Sequence, residues 1–158
     1  MISLSDGIQL FLLLVTIVSV ILAIRSNSKQ VKNFNEQLKL DFFAEYTRRY
    51  QEIILNLPEE VHEDKLKLDT LEKKEKDNIL KYMRVYFDLC SEEFHLHKNS
   101  HIDCEIWKNW EHGIKHAFSL KVYQEAWKII NQTCMFDGSF EKWINEIIEQ
   151  SQSANMQE

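Results

Sequence analysis

Five of the chain's six histidines crowd into one stretch, as His95, His97, His101, His112 and His116. Imidazoles gathered in this way can hold a metal, move a proton or pair with an anion. His112 and His116 stand four residues apart, on one face of any helix they share, and His95-x-His97 or His101-x-x-Cys104 could add ligands. A helical zinc protease needs Glu directly after the first histidine of such a pair. Here that place is taken by Gly113, and Glu111 comes before the pair, so the protease chemistry fails. No acid or cysteine pairing completes a structural zinc set either, and the chain is read as having neither metal nor cofactor.

Anion recognition is the second chemistry on offer. His95, His97, Lys98 and His101 concentrate hydrogen-bond donors around a turn, and Lys108, His112, Lys115 and His116 continue them along the following helix. Trp107 and Trp110, with Tyr86, add flat faces on which bases can stack, worth roughly 1 to 3 kcal/mol per base. These residues form the candidate ligand-binding set for a small nucleotide. A structural reading stands beside it: Trp107, Trp110 and Ile114 recur at the spacing of a core face, and scattered histidines commonly lie at a surface. For catalysis there are only Glu92 and Glu93 near His95, or Cys104 near His101, and proximity in sequence does not supply the required hydrogen-bond geometry. No Gly-rich phosphate loop, nucleophile elbow or kinase set occurs, so no catalytic residue is assigned and the chain is read as non-enzymatic.

The elements that must carry these residues are helices. With three glycines and one proline in the whole chain, there is little to punctuate short strands. Phe43, Tyr46, Tyr50, Ile53 and Leu57 share a helical face that Pro58 closes, and a short acidic helix is expected from Glu59 to about Leu66. Asp69 with Glu72 three residues later predicts a helix start ahead of Ile79, Met83, Tyr86, Cys90 and Phe94. The mixed charges between Glu72 and Asp77 read as a solvated surface. After a polar break at residues 97 to 101, Asp103 is the expected cap of the helix bearing Trp107 and Trp110. Ser119 and Ser139 are the expected starts of two more, the last ending near Gln150 before a frayed tail.

Residues 8 to 24, IQLFLLLVTIVSVILAI, contain no charge. At 1.5 Å per residue they extend about 25 Å as a helix, near the thin end of a hydrocarbon core. A cleaved secretory signal would carry basic residues before the run. Here Asp6 precedes it and Arg25, Lys29 and Lys32 follow, a pattern that predicts a retained span with its N-terminus outside and the rest in the cytoplasm. Ser5, Gln9, Leu12, Thr16, Ser19 and Ala23 project onto an arc of about 80°. Such a weakly polar stripe suits contact with other copies of the span, although Ser and Thr also occur singly in spans, bonded to their own backbone.

The expected architecture is therefore all-α: a single N-terminal transmembrane helix plus a cytoplasmic bundle of four to six helices. The divisions are a transmembrane anchor at 1–24, a basic connector at 25–37, the helical domain at 38–150 and a tail at 151–158. Cys90, Cys104 and Cys134, odd in number and without paired spacing, suit a reducing compartment. The net charge of −6 argues against binding a DNA or RNA polymer.

A single N-terminal span, a short basic junction and a small helical domain resemble the membrane effectors of bacterial antiviral signalling, including those attached to type III CRISPR loci. The segments YFDLCSEEF (86 to 94) and CEIWKNWEHGIKHAF (104 to 118) are similar to stretches of uncharacterised bacterial membrane-anchored proteins. The effector resemblance implies a location in the bacterial inner membrane and a cyclic oligoadenylate or similar messenger bound by the soluble part. It further implies that the assembled spans disturb the bilayer, with a homo-oligomer, for instance a tetramer with pockets at subunit contacts, as the working unit. The contrasting expectation is a membrane-tethered interaction module with no ligand.

Overall fold

The computed structural model describes residues 4 to 155, and the side chains of residues 7 to 154. It is all-α. Among the described residues six α-helices follow one another: α1 (Leu4–Ile54), α2 (Glu59–His62), α3 (Lys73–Lys98), α4 (Cys104–Ser119), α5 (Lys121–Ile130) and α6 (Gly138–Asn155), with a 3-10 turn at Leu68–Thr70. The chain divides into two compact units at Phe42/Phe43, inside α1.

The described part of the first unit, residues 4 to 42, is one stretch of helix. Every large apolar side chain from Ile8 to Ile24 is exposed, which is far more apolar surface than a water-soluble protein leaves uncovered. Gly7–Ile54 is the one helix among the described residues long and apolar enough to cross a membrane. The polar stretch that follows is supported by bonds one turn apart, including Gln30 to Ser26 and Gln37 to Asp41, the latter at 2.9 Å.

The second unit is the helical bundle, built on aromatic packing. Phe87 of α3, fully buried, stacks on Phe118 of α4 at 5.1 Å between ring centres and meets Trp127 of α5 edge-on at 5.4 Å. Phe140 of α6 closes the same cluster against Trp127 at 5.9 Å. The faces expected of Ile79, Met83, Tyr86 and Cys90 on α3, and of Trp107 and Ile114 on α4, are buried as their spacing requires.

Several boundaries differ from the sequence expectation, each for a local reason. The junction after Arg25 is not one of them: with no Gly or Pro between Arg25 and Ile54, the sequence allows the apolar run to pass directly into the helix bearing Tyr46 and Ile53, and the two are continuous. The helix after Pro58 stops at His62 instead of about Leu66, because Lys65 and Leu66 turn their backbone N–H groups back to the Glu60 carbonyl. Asp69 lies in the 3-10 turn, 3.5 Å from Lys76, and Glu72 takes the N-cap position of α3 without a side-chain cap bond.

Helix α3 runs one residue beyond His97 and ends at Lys98. Ser100 then takes a left-handed φ of 58°, and the N–H groups of Ser100 and His101 bond the carbonyls of His97 and Leu96 at 2.9 and 2.8 Å. This is a Schellman stop built on serine where glycine is usual. Asp103 caps α4 as expected, accepting from the Glu105 N–H at 2.9 Å.

Ser119 ends α4 and does not start α5. The carboxylate that receives the first N–H groups of α5 belongs to Asp64, at 2.8 Å from Lys121 N and 3.4 Å from Val122 N. Asp64 itself holds a φ of 52°. Gly138 opens α6, with Asp137 accepting from the Ser139 N–H at 3.0 Å, and the helix passes Gln150 to reach Asn155, so residues 151 to 155 of the expected tail are helical.

Candidate functional site

A cavity of about 300 Å³ opens within the second unit where α1, α3 and α4 meet. That is the small end of the range for ligand pockets, roughly 300 to 1,000 Å³. Helix α1 supplies Phe43, Tyr46 and Tyr50 at successive three- and four-residue steps, so that one face reaches the cavity over two turns. From α3 comes Tyr86 and, seven residues on, Glu93; from α4 come Trp110 and Ile114. Gly113, between those two, leaves the wall open: a β-carbon there would meet nothing within 4 Å.

The rings pair up along the wall. Tyr46 lies 5.1 Å from Trp110, Tyr50 lies 6.2 Å from Tyr86, and Tyr86 meets Tyr123 of α5 edge-on at 5.6 Å. Burial raises the phenol pKa values of Tyr46, Tyr50 and Tyr86 above their ordinary value, keeping all three hydroxyls protonated across the physiological range. The Cys90 thiol, buried behind Tyr86, is also pushed up, and stays an unreactive thiol.

Two adjacent acids meet opposite fates. Arg49 grips Glu92 with both terminal nitrogens, at 2.6 and 3.2 Å, and these bonds hold the Glu92 carboxyl below the usual range. The same guanidinium sits 5.2 Å from the centre of the Tyr46 ring, and the Tyr46 hydroxyl donates to Glu92 at 3.4 Å. Glu93 is only 6% exposed, and among the described residues no donor bonds its carboxyl. Burial drives its pKa up to about 8; the charge of Arg49 pulls the other way without winning, and Glu92 adds a further push upward. At neutral pH the cavity is thus lined by five aromatic rings, Ile114, the uncharged polar side chains of Thr47 and Asn109, and one protonated acid. Its wall includes no Lys, Arg or His.

The fold divides the residues singled out in the sequence: Tyr86 and Trp110 meet at the cavity, Lys108, His112, Lys115 and His116 stay together on α4, and the others lie apart from both. Trp110 lines the cavity, whereas Trp107 is buried, edge-on to Phe94 at 6.3 Å and tilted against Trp143 at 5.5 Å. His97 lies flat on Trp107, with ring centres 4.5 Å apart and planes within 2°. His95 borders a second, shallower hollow of about 330 Å³ together with Glu92 and Asp137. Lys98 donates to the Ser139 hydroxyl at 2.7 Å. His101 is exposed beyond α3, and Lys108, His112, Lys115 and His116 are exposed on α4, where Lys115 pairs with Glu111 at 2.7 Å. Among the described residues no three His, Cys, Asp or Glu side chains gather as metal ligands.

In the apolar run the Thr16 hydroxyl donates to the Leu12 carbonyl at 2.9 Å and that of Ser19 to Val15 at 2.8 Å, each one turn back. Gln9 and Ala23 are exposed, and the Ser5 side chain lies outside the described residues. Glu93 was not in the sequence-derived ligand set, although one signal was present. Three residues after Cys90 and seven after Tyr86, it is an acid on the buried face of a helix.

Comparison with protein-family models, with curated proteins and with solved structures gives no match for this chain.

Proposed function

We propose that this chain is a membrane-anchored, non-enzymatic sensor: residues 8 to 24 cross a bilayer, and the helical domain takes a small organic ligand into the aromatic cavity beside Glu93. The observation that carries the reading is the cavity, which keeps five aromatic side chains around a buried, unbonded acid instead of collapsing on it. An anchor accounts for the uncovered apolar side chains of α1. Arg25, Lys29 and Lys32 favour the orientation with the domain in the cytoplasm, and the layout shared with bacterial antiviral effectors favours an inner-membrane protein that acts as a homo-oligomer. The test is a fragment screen on the full chain in lipid nanodiscs, read by thermal shift, with Gly113→Trp as the filled-cavity control. Fragments that stabilise the original chain and not the variant support the site. A set of hits indifferent to Gly113→Trp refutes it.

A second reading places an anionic cyclic oligonucleotide on α4, where Lys108, His112, Lys115 and His116 share one exposed helical face. Titration of the full chain in nanodiscs with cyclic oligoadenylates tests it, and no binding at micromolar concentration to a folded sample removes the messenger.

A further inference from the structure

We propose that the ligand of the α1–α3–α4 cavity is an organic cation: an ammonium group on a compact apolar or aromatic body, seated among Tyr46, Tyr50, Tyr86 and Trp110 with its charge against the Glu93 carboxyl. The proposal rests on reading the cavity as a ligand site, and it names the chemistry that site selects.

Three independent features converge on positive charge. The faces of Tyr and Trp rings carry negative electrostatic potential, and a cage of them attracts an ammonium ion more than it attracts a neutral group of the same size. Four such rings line one cavity; Tyr46 already carries the Arg49 guanidinium 5.2 Å from its centre, and Tyr50, Tyr86 and Trp110 carry no cation among the described residues. Glu93, nine-tenths buried, has no hydrogen-bond donor among the described residues. The one neighbouring cation whose charge it feels, Arg49, is already committed to both oxygens of Glu92. The carboxylate form of Glu93 therefore lacks a counter-ion that the protein could have placed there. Finally, an anion would find no Lys, Arg or His in the wall to pair with.

The groups around Glu93 make its protonation the controlling event. Helix α1 presents Arg49, Tyr46 and Tyr50; α3 presents Tyr86, Cys90 and Glu92; α5 presents Tyr123 behind Tyr86. Helix α4 contributes only uncharged groups, Asn109, Trp110, Gly113 and Ile114. Arg49 stays charged, the phenols and the thiol are held neutral by burial, and Glu92 is held ionised by Arg49. Between pH 6 and 9 the group that changes charge at the cavity is Glu93, whose pKa is about 8. A cation of fixed charge binds the ionised form, so it must displace the proton. Its affinity rises roughly a hundredfold from pH 6 to pH 9, levelling above the pKa.

The experiment uses the full chain in lipid nanodiscs and follows Trp fluorescence or heat on titration, with empty nanodiscs subtracted. Benzyltrimethylammonium is the probe, because its charge does not titrate, and neopentylbenzene is its uncharged isostere. The expected result is saturable binding of the cation that tightens roughly a hundredfold across this pH range, is weak and flat with pH in Glu93→Gln, and exceeds binding of the isostere at pH 9. Tyr50→Leu, at a partly exposed ring, is a second variant that weakens the cation severalfold and leaves the isostere nearly unchanged. Equal binding of cation and isostere at pH 9, both abolished by Gly113→Trp, overturns the cation and leaves the ligand cavity standing. If neither probe binds, both are overturned.

Discussion

Replacing Glu93 by Gln tests the central electrostatic inference without any ligand. Gln keeps the shape of a protonated glutamate and removes its ability to ionise. In the unfolded chain the Glu93 carboxyl loses its proton near 4.5; in the fold it keeps the proton up to about 8. Over that interval the folded state binds the extra proton, so stability falls as pH rises: the contribution is complete below 4.5 and is lost by the time pH passes about 8. At about 1.4 kcal/mol per pH unit the whole interval amounts to about 5 kcal/mol, a large part of what holds a small domain together. Glu93→Gln should therefore match the original chain near pH 4.5 and exceed its stability by several kcal/mol at pH 8.5. Urea unfolding of both proteins in detergent micelles, followed by near-UV circular dichroism at half-unit pH steps, gives the difference directly. Other titrating groups, such as the partly buried Asp88, largely cancel in that difference. A difference that stays flat within about 1 kcal/mol from pH 5 to 9 would refute the buried, unpartnered acid.

Three other substitutions probe the frame of the site. Ser100→Gly should stabilise by about 1 kcal/mol, since Ser100 holds a φ of 58° that costs a β-carbon and glycine adopts freely; the unfolding midpoint reads it, and a loss of stability contradicts the helix stop described here. Gly113→Ala should gain about 0.5 to 1 kcal/mol from helix propensity, because nothing lies within 4 Å of the added carbon, whereas a loss would mean the wall is closed there. Phe87→Ala, fully buried and in ring contact with Tyr86, Phe118, Tyr123 and Trp127, should cost about 3 to 5 kcal/mol by the same denaturation measurement, and a cost under about 1 kcal/mol would place the core elsewhere.

Periodicity made most of the helices legible, because a buried stripe repeats at three and four residues whatever it packs against. Tyr46, Ile53 and Leu57 are buried as their spacing predicts. Phe43 and Tyr50 share that stripe yet remain 41% and 45% exposed, and those two exceptions mark the cavity. The spacing could assign them to a face without revealing that the face is left partly uncovered. The histidine segment shows the opposite failure. His97 and Trp107 drew attention by composition, but the imidazole lies flat on an indole that belongs to the core, an arrangement set by how α3 meets α4. Glu93 is visible in the sequence only as one of two adjacent acids near His95, with nothing to separate it from Glu92; its burial follows from the rings opposite it, which come from α1 and α4. The Asp103 cap was legible because it is local, the start of α5 was not because its cap is Asp64, and at α6 the local cap Asp137 shifts the start only to Gly138, beside the expected Ser139.

Asp64 has a consequence for the order in which the bundle assembles. The first turn of α5 has no cap of its own, and its N–H groups are satisfied by a carboxylate 57 residues earlier in the chain. A ten-residue helix is too short to persist alone in water, so α5 gains its first turn only after the segment following α2 has docked. Synthesis runs from the N-terminus, which means the cap exists before the helix that needs it. A nascent chain can therefore close this joint as α5 emerges, whereas a fragment that begins after Asp64 starts folding with that helix unfinished.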